Sequence, residues 1–524
     1  MSTSAANPNA GGAAPQAQAA IPGGRALVAT ALALGTFMQV LDTTIANVSI
    51  PTIAGNLGTS TDQGTWVITS FAVANGISVP LTGWLMQRFG VVRTFVASVL
   101  LFTIASFLCG AAWSLSSLIL FRILQGAVSG PMIPGSQALL ISLFPPEKKG
   151  SALAIWSMTT LVAPICGPIL GGHISDDYSW PWIFYINVPV GLFCAFICWN
   201  GLKHRETPTR KIPIDSIGLS LLVLWVGALQ IMLDTGKDQD WFSSPVIVAE
   251  AIVAGVGFIA FLIWELGEKH PIIDLSLFKN RNFTLGVLVF CVGYGVFFGG
   301  VVLLPLWMQT WLGYTATWAG LVAAPSGMVA VLLSPLVGRN IGRVDPRILA
   351  TIAFIAFGIS YFMRAGYTAN AEFMDYVLPL LVQGVGMSMF FVAMLTILLD
   401  GVPDARLPAA SGLSNFLRIT AGAFATSITT TFWDRHAALH QTRLAEATSI
   451  TDPRLQQAMG TLQERGLSEG QSIGALAREL ANQAYLMSTL DFFWICAWIS
   501  IASIGLVWLT RRPRGGPAVH AAAD

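Results

Sequence analysis

The chain has 524 residues, of which 54% are hydrophobic and only 10% charged, with a formal net charge of +1. Soluble proteins carry about 25% charge, so this composition describes a polytopic membrane protein. No basic run suggests a nucleic-acid partner, and no G-x-x-x-x-G-K-[ST] loop suggests ATP hydrolysis.

In chain order, residues 1–24 hold Ala, Pro, Gly, Gln and Asn without periodicity and lack the basic start of a signal peptide. They predict a disordered cytoplasmic tail. The first span follows as RALVATALALGTFMQVLDTTIANVSIP, from Arg25 to Pro51, about the length that crosses a bilayer. Asp42 lies two-thirds of the way along it. An ionised carboxylate at that depth costs at least about 2.5–3.5 kcal/mol, so such groups usually face a bundle interior or a watery cavity. The alternative is a carboxylate pinned for packing, or one nearer the interface.

Hydropathy and turn signals predict about fourteen spans, the last ending near residue 510. Connections carrying Arg88 and Arg93, Lys148 and Lys149, Lys203 to Lys211, Lys269 to Arg281, Arg339 to Arg347, and Arg511 to Arg514 alternate onto one face. The opposite loops are nearly bare of Lys and Arg, with Lys237 and Arg364 as exceptions. That asymmetry predicts cytoplasmic termini.

The fourth span contains LILFRILQGAVSG. It places Arg122 about two turns from the outer face, at the depth of Asp42 on the antiparallel first span. Pairing would lower the cost of burying both charges, with Asn47 and Gln125 as neutral hydrogen-bonding neighbours. Movement of Arg122 would change whether Asp42 holds a proton; a static ion pair is the other reading.

The fifth span, SALAIWSMTTLVAPICGPILGG, carries Pro164 and Pro168 with Gly167, Gly171 and Gly172. Proline removes a backbone hydrogen bond and glycine bares the backbone, which together predict a bent, close-packing helix end.

Residues 80–88, PLTGWLMQR, and 335–343, PLVGRNIGR, share Pro, Leu, Gly and Arg in register. The repeat aligns span 2 with span 10, which predicts two six-helix halves separated by two inserted helices. The expected divisions are a tail at 1–24, an N-terminal bundle at 25–202, inserted helices at 203–270, a C-terminal bundle at 271–510 and a tail at 511–524. Within the C-terminal bundle, residues 433–485 are polar and predict an ordered extramembrane element facing away from the cytoplasm. Asp452 before Pro453 has the form of an N-cap, and Ser468 with Gln471 that of a capping box. His436 and His440, four apart, suggest metal ligands or, more simply, a solvated helix face. The six cysteines all fall in apolar segments and predict neither a disulfide nor a metal site.

Four motifs carry a family resemblance. LDTTIANVSIP holds Asp42, Thr43 and Asn47; GWLMQRFGVVR holds Gly83, Arg88, Gly90 and Arg93. RILQGAVSG holds Arg122, Gln125 and Gly126; APICGPILGG holds Gly167, Pro168, Gly171 and Gly172. The chain thus resembles the fourteen-helix drug:proton antiporters of the major facilitator superfamily. The run WPWIFYINVPVG at 180–191 is similar to that of the pumps of Emr-type tripartite efflux systems.

The resemblance implies an all-α major facilitator fold in a bacterial inner membrane, without a cofactor. It implies proton-coupled export of hydrophobic or amphipathic drug-like compounds, with Asp42 and Arg122 as the coupling pair. It also implies a periplasmic membrane-fusion adaptor and an outer-membrane channel as partners. Gln87 stands where the family usually has Asp, Val91 and Val92 replace a basic pair, Pro181 interrupts a W-R-W run, and Ala163 replaces a glycine. The loop charge network must therefore use other groups or be weaker. A dedicated fatty-acid or metabolite exporter is the alternative within the fold. A membrane enzyme or receptor has no metal, nucleophile or phosphate motif to support it.

Overall fold

Long apolar runs broken by Pro, Gly and short polar turns fold into helices in the computed structural model. It describes residues 24–513 except 60, 146–147, 212, 270, 370, 404–405 and 448–452. Residues 1–23, Asp452 and the end of the C-terminal tail lie outside the described residues. The first ten helices are α1 (Arg25–Asn56), α2 (Thr61–Gly64), α3 (Trp66–Ser78), α4 (Thr82–Phe89), α5 (Val91–Gly110), α6 (Leu115–Ser129), α7 (Met132–Leu143), α8 (Lys149–Asp177), α9 (Trp182–Tyr185) and α10 (Asn187–Leu202). The inserted pair is α11 (Ser216–Thr235) and α12 (Pro245–Gly267). There follow α13 (Arg281–Trp311), α14 (Ala316–Asn340), α15 (Pro346–Arg364), α16 (Phe373–Leu398), α17 (Leu407–Ala447), α18 (Pro453–Glu464) and α19 (Glu469–Trp508).

Among the described residues, eleven helices are long and apolar enough to cross a membrane, or up to thirteen if each bent pair counts as one. The span expected at 408–432 falls in α17, which is not among them because Ser and Thr crowd its sequence. Two of those hydroxyls turn back onto their own helix: Thr426 donates to Gly422 O and Thr430 to Thr426 O, both at 3.1 Å. Such back-bonding satisfies a hydroxyl without water.

The second span bends by 56° between α3 and α4, at Pro80. The fifth bends by 44° between Lys149–Pro164 and Ile169–Ser175, as the Pro/Gly run predicts.

α1 packs on α8 and α10, and α3 on α6; later in the chain α13 packs on α17 and α19, and α14 on α16. α14 also lies along α8, and α17 meets α4 and α7, so these helices join the early and late parts of the chain. The repeat seen in the sequence recurs as contacts. A Cβ built at Gly126 would lie 2.5 Å from the carbonyl oxygen of Phe71, and one at Gly384 would lie 2.5 Å from that of Ser326. Phe71 and Ser326 are offset by the same 255 residues as the Pro-Leu-x-Gly motifs.

α11 packs on α12 and also on both α3 and α17. Its grip on α17 is specific: Trp225 stands edge-on to Phe416 with ring centres 6.0 Å apart. Just beyond α11, Trp241 donates to Thr431 (3.0 Å) and Lys237 pairs with Asp434 (2.8 Å).

The polar stretch 433–485 holds the end of α17, all of α18 and the start of α19. α17 and α19 run into it and are 41 and 40 residues long in all, about 60 Å each at 1.5 Å per residue and twice a hydrocarbon core. Ser468 and Gln471 form the expected capping box at the start of α19. His440 is not on a solvated face; it is buried against Asp491 of α19, its Nε2 2.7 Å from Oδ2.

Candidate functional site

Asp42 faces inward from α1 and is fully buried, as is Arg122 of α6. Arg122 Nη1 donates to Asp42 Oδ2 at 2.6 Å and to Gln125 Oε1 at 2.6 Å. Gln125 lies one turn further along α6, so both side chains point the same way. Its Nε2 donates to Asp42 Oδ1 (3.0 Å) and to Ser106 of α5 (2.7 Å). Asn187, the first residue of α10, donates to the same Asp42 oxygen at 2.9 Å. Arg122 Nε donates to the carbonyl of Val67 (3.0 Å), and its guanidinium lies 4.3 Å from the Phe71 ring centre. Arg122 Nη2 is buried without a hydrogen-bond partner.

Every group that touches the Asp42 carboxylate is thus a donor. A proton on either oxygen would meet a second donor where it needs an acceptor, unless an amide turned or Arg122 withdrew. Protonation and side-chain position are linked by geometry.

Asn47 does not join this cluster. It is exposed, because five residues along a helix turn it about 140° from Asp42. The neighbours that sequence reasoning missed are Asn187 and Ser106. Asn187 stands within the quoted run at 180–191, but only the fold shows which spans meet there.

The small residues of α8 press on the turn of α1 that carries Asp42. A Cβ at Gly167 would run into Thr44, and one at Gly171 would lie 2.9 Å from the carbonyl oxygen of Ile45. Gly172 departs from the expectation: a Cβ there would meet nothing within 4 Å, since one residue turns it about 100° away from Gly171. Pro164 lies at the bend of α8 and Pro168 within it.

The motif between α4 and α5 is organised by a carboxylate from elsewhere. Gly90 has φ +94°, and its missing Cβ leaves room for Glu206. Glu206 accepts from the backbone N–H groups of Val92 (3.0 Å) and Arg93 (2.9 Å) at the start of α5, where the helix dipole favours an anion. This carboxylate provides the charge that Gln87 lacks. Gly83 packs against Ala409 of α17, 3.2 Å from where its Cβ would lie, and Arg88 stands 5.7 Å from the Trp84 ring centre.

A second buried arginine was expected in an outer loop. Arg364 instead ends α15 at 1% exposure, its Nη2 donating to Gln383 of α16, with the Tyr361 ring centre 5.0 Å away. Gln383 and Gly384 repeat Gln125 and Gly126 at a shift of 258 residues, and the same shift sets Gly300 opposite Asp42 and Leu380 opposite Arg122. A side chain at Gly300 would meet the Tyr361 hydroxyl at 2.5 Å. The second copy keeps the amide and the glycine and has no acid.

Membrane-length helices packed around a buried ion pair define a polytopic transporter of the helical class. The Major Facilitator Superfamily model matches residues 32–426, and the chain belongs to that family. It is 49% identical over 502 residues to the multidrug export protein EmrB of Escherichia coli K12, covering 95% of this chain and 98% of that one. It is 48% identical over 488 residues to the fatty acid resistance protein FarB of Neisseria gonorrhoeae, covering 93% of this chain and 96% of that one. The solved structure of the proton:xylose symporter XylE has the same fold, with TM-score 0.58 at 14% identity over 92% of this chain and 95% of that one.

Proposed function

We propose that the protein is a proton-coupled multidrug efflux antiporter. It exports hydrophobic and amphipathic compounds across the bacterial inner membrane and catalyses no reaction of its own. The observation that carries the coupling is the Asp42 carboxylate, fully buried and ringed by donors alone. In this reading a proton arriving on Asp42 displaces Arg122. The displaced arginine and the turn of α1 beneath Gly167 and Gly171 transmit the change to the bend of α8. Residues 25–202 and 271–510 act as the two halves, with 203–270 inserted between them.

The relatives named for multidrug export support the substrate class. The polar extension of α17 and α19 supports a docking role toward a periplasmic adaptor and, through it, an outer-membrane channel. The relative named for fatty acid resistance favours a second reading, a dedicated fatty-acid exporter. Proteoliposomes under an imposed pH gradient test both. Gradient-driven uptake of several unrelated hydrophobic drugs is expected. Uptake of fatty acids alone would favour the second reading, and no gradient dependence would end the first.

A further inference from the structure

We propose that His436, His440 and Asp491 form a binding site for a divalent transition-metal ion, with zinc the best match. The site lies outside the Asp42 cluster and is built by two different helices. His436 and His440 are four apart on α17, so their rings share one face. Asp491 reaches them from α19, with Oδ2 2.7 Å from His440 Nε2 and 3.6 Å from His436 Nδ1. All three donor atoms lie within 4.8 Å of one another. Zinc held at about 2.0–2.2 Å from each ligand sets tetrahedral donor atoms roughly 3.4 Å apart, so the 2.7 Å His440–Asp491 contact must open and the widest separation close, which rotation of the side chains can supply.

Two imidazoles and one carboxylate suit zinc, nickel(II) or copper(II). Calcium and magnesium, which need six or more oxygen ligands, do not fit. The surrounding contacts hold the ligands in place before any ion binds. The Phe432 ring stacks on His436 with centres 3.8 Å apart. Three residues before His436, Trp433 Nε1 donates to Thr489 (2.9 Å) while Ser488 donates to the Trp433 carbonyl (2.7 Å), clamping α17 to α19.

The depth is also suitable. Asp491 stands 17 residues before Trp508 at the end of α19, about 26 Å along the helix and near the edge of a hydrocarbon core about 30 Å thick. The side chains of His436 and Asp491 are 39% and 45% exposed, so an ion can reach them from water. A bound ion would satisfy all three ligands together and staple α17 to α19 where both helices leave the membrane. It would fix the angle at which the polar extension projects.

Zinc binding to untagged, full-length protein in detergent, measured against a competing chromophoric chelator, tests the site. Wild type is expected to take one zinc per chain, displaced by nickel or copper but not by magnesium or calcium. His440→Ala and Asp491→Asn should each weaken binding by more than about tenfold, a cost already usual for losing an outer-shell partner. A His173→Ala, His204→Ala double variant should bind as wild type does. Hydrogen exchange of residues 433–445 and 482–491 should slow on adding zinc, a readout independent of transport. The proposal is overturned if wild type takes up no more zinc than a His436→Ala, His440→Ala double variant that still binds drug, or if exchange is unchanged.

Discussion

Gly167 of α8 lies so close to Thr44 of α1 that any side chain there would overlap it, two residues past Asp42. The bending helix is therefore in direct contact with the turn of α1 that carries the buried acid. Gly171 repeats this against Ile45, whereas Gly172 faces open space.

That difference makes a sharp test. Gly167→Leu and Gly171→Leu should abolish export or uncouple it, because α8 could no longer seat on α1. Gly172→Leu should keep near-normal export. Drug resistance of cells expressing each variant at matched levels decides it, and equal effects at all three positions would refute the contact argument.

Asp42→Asn keeps size and one accepting oxygen but cannot ionise, and its amide nitrogen faces a donor. It should still bind hydrophobic drugs, release no proton on binding, and lose gradient-driven export in proteoliposomes. Arg122→Ala should cripple export too, with Arg122→Lys keeping a little, since lysine keeps the charge without the planar fork. Wild-type proton release by Asp42→Asn would make Asp42 a structural residue.

Gly90 sits at φ +94°, a region nearly closed to other residues, with Glu206 in the space a Cβ would fill. Gly90→Ala should cost about 1–3 kcal/mol of backbone strain and expel Glu206 from the start of α5. Glu206→Gln should weaken the same contact without the strain. Thermal unfolding in detergent should rank wild type above Glu206→Gln and Glu206→Gln above Gly90→Ala.

Arg364 relies on Gln383 as its side-chain acceptor, with its Nε and the Gln383 Nε2 both buried and unpartnered. Gln383→Leu should therefore destabilise by about 1–3 kcal/mol, the cost of stranding a buried donor. Adding Arg364→Met should recover most of that loss, because a neutral isostere removes the stranded charge. A double variant less stable than Gln383→Leu would contradict this.

Removing α18 with a short linker should leave the membrane-spanning core folded, since that helix contributes no span. Transport by purified protein should persist, while resistance in cells should fall through loss of adaptor docking. Unchanged resistance would remove the docking role.

The ion pair was legible because a charge is rare in an apolar span and two charges at one depth invite pairing. Asn187 and Ser106 were not, since neutral polar residues occur throughout the spans and only packing singles out these two. Arg364 was misplaced by standing at a span end, where sequence alone cannot separate a buried terminus from a loop. Glu206 sits in a stretch whose lysines and arginines dominate the topology signal, so its reach to Gly90 was hidden. Spacing put His436 and His440 on one face, but their partner Asp491 lies 51 residues beyond His440 on another helix.

α11 touches α3 where the would-be Cβ of Gly76 lies 3.4 Å from Val226, and through a side-chain hydrogen bond between Asp234 and Thr69. It holds α17 through an aromatic pair, while the segment after it adds a hydrogen bond and an ion pair. The inserted pair is thus held to both walls by polar contacts and bridges them. α12 packs on the outside of that bridge with an apolar stretch only 22% buried. Acyl chains cover most of this flank, so its fit to the surrounding lipid bears on both walls at once.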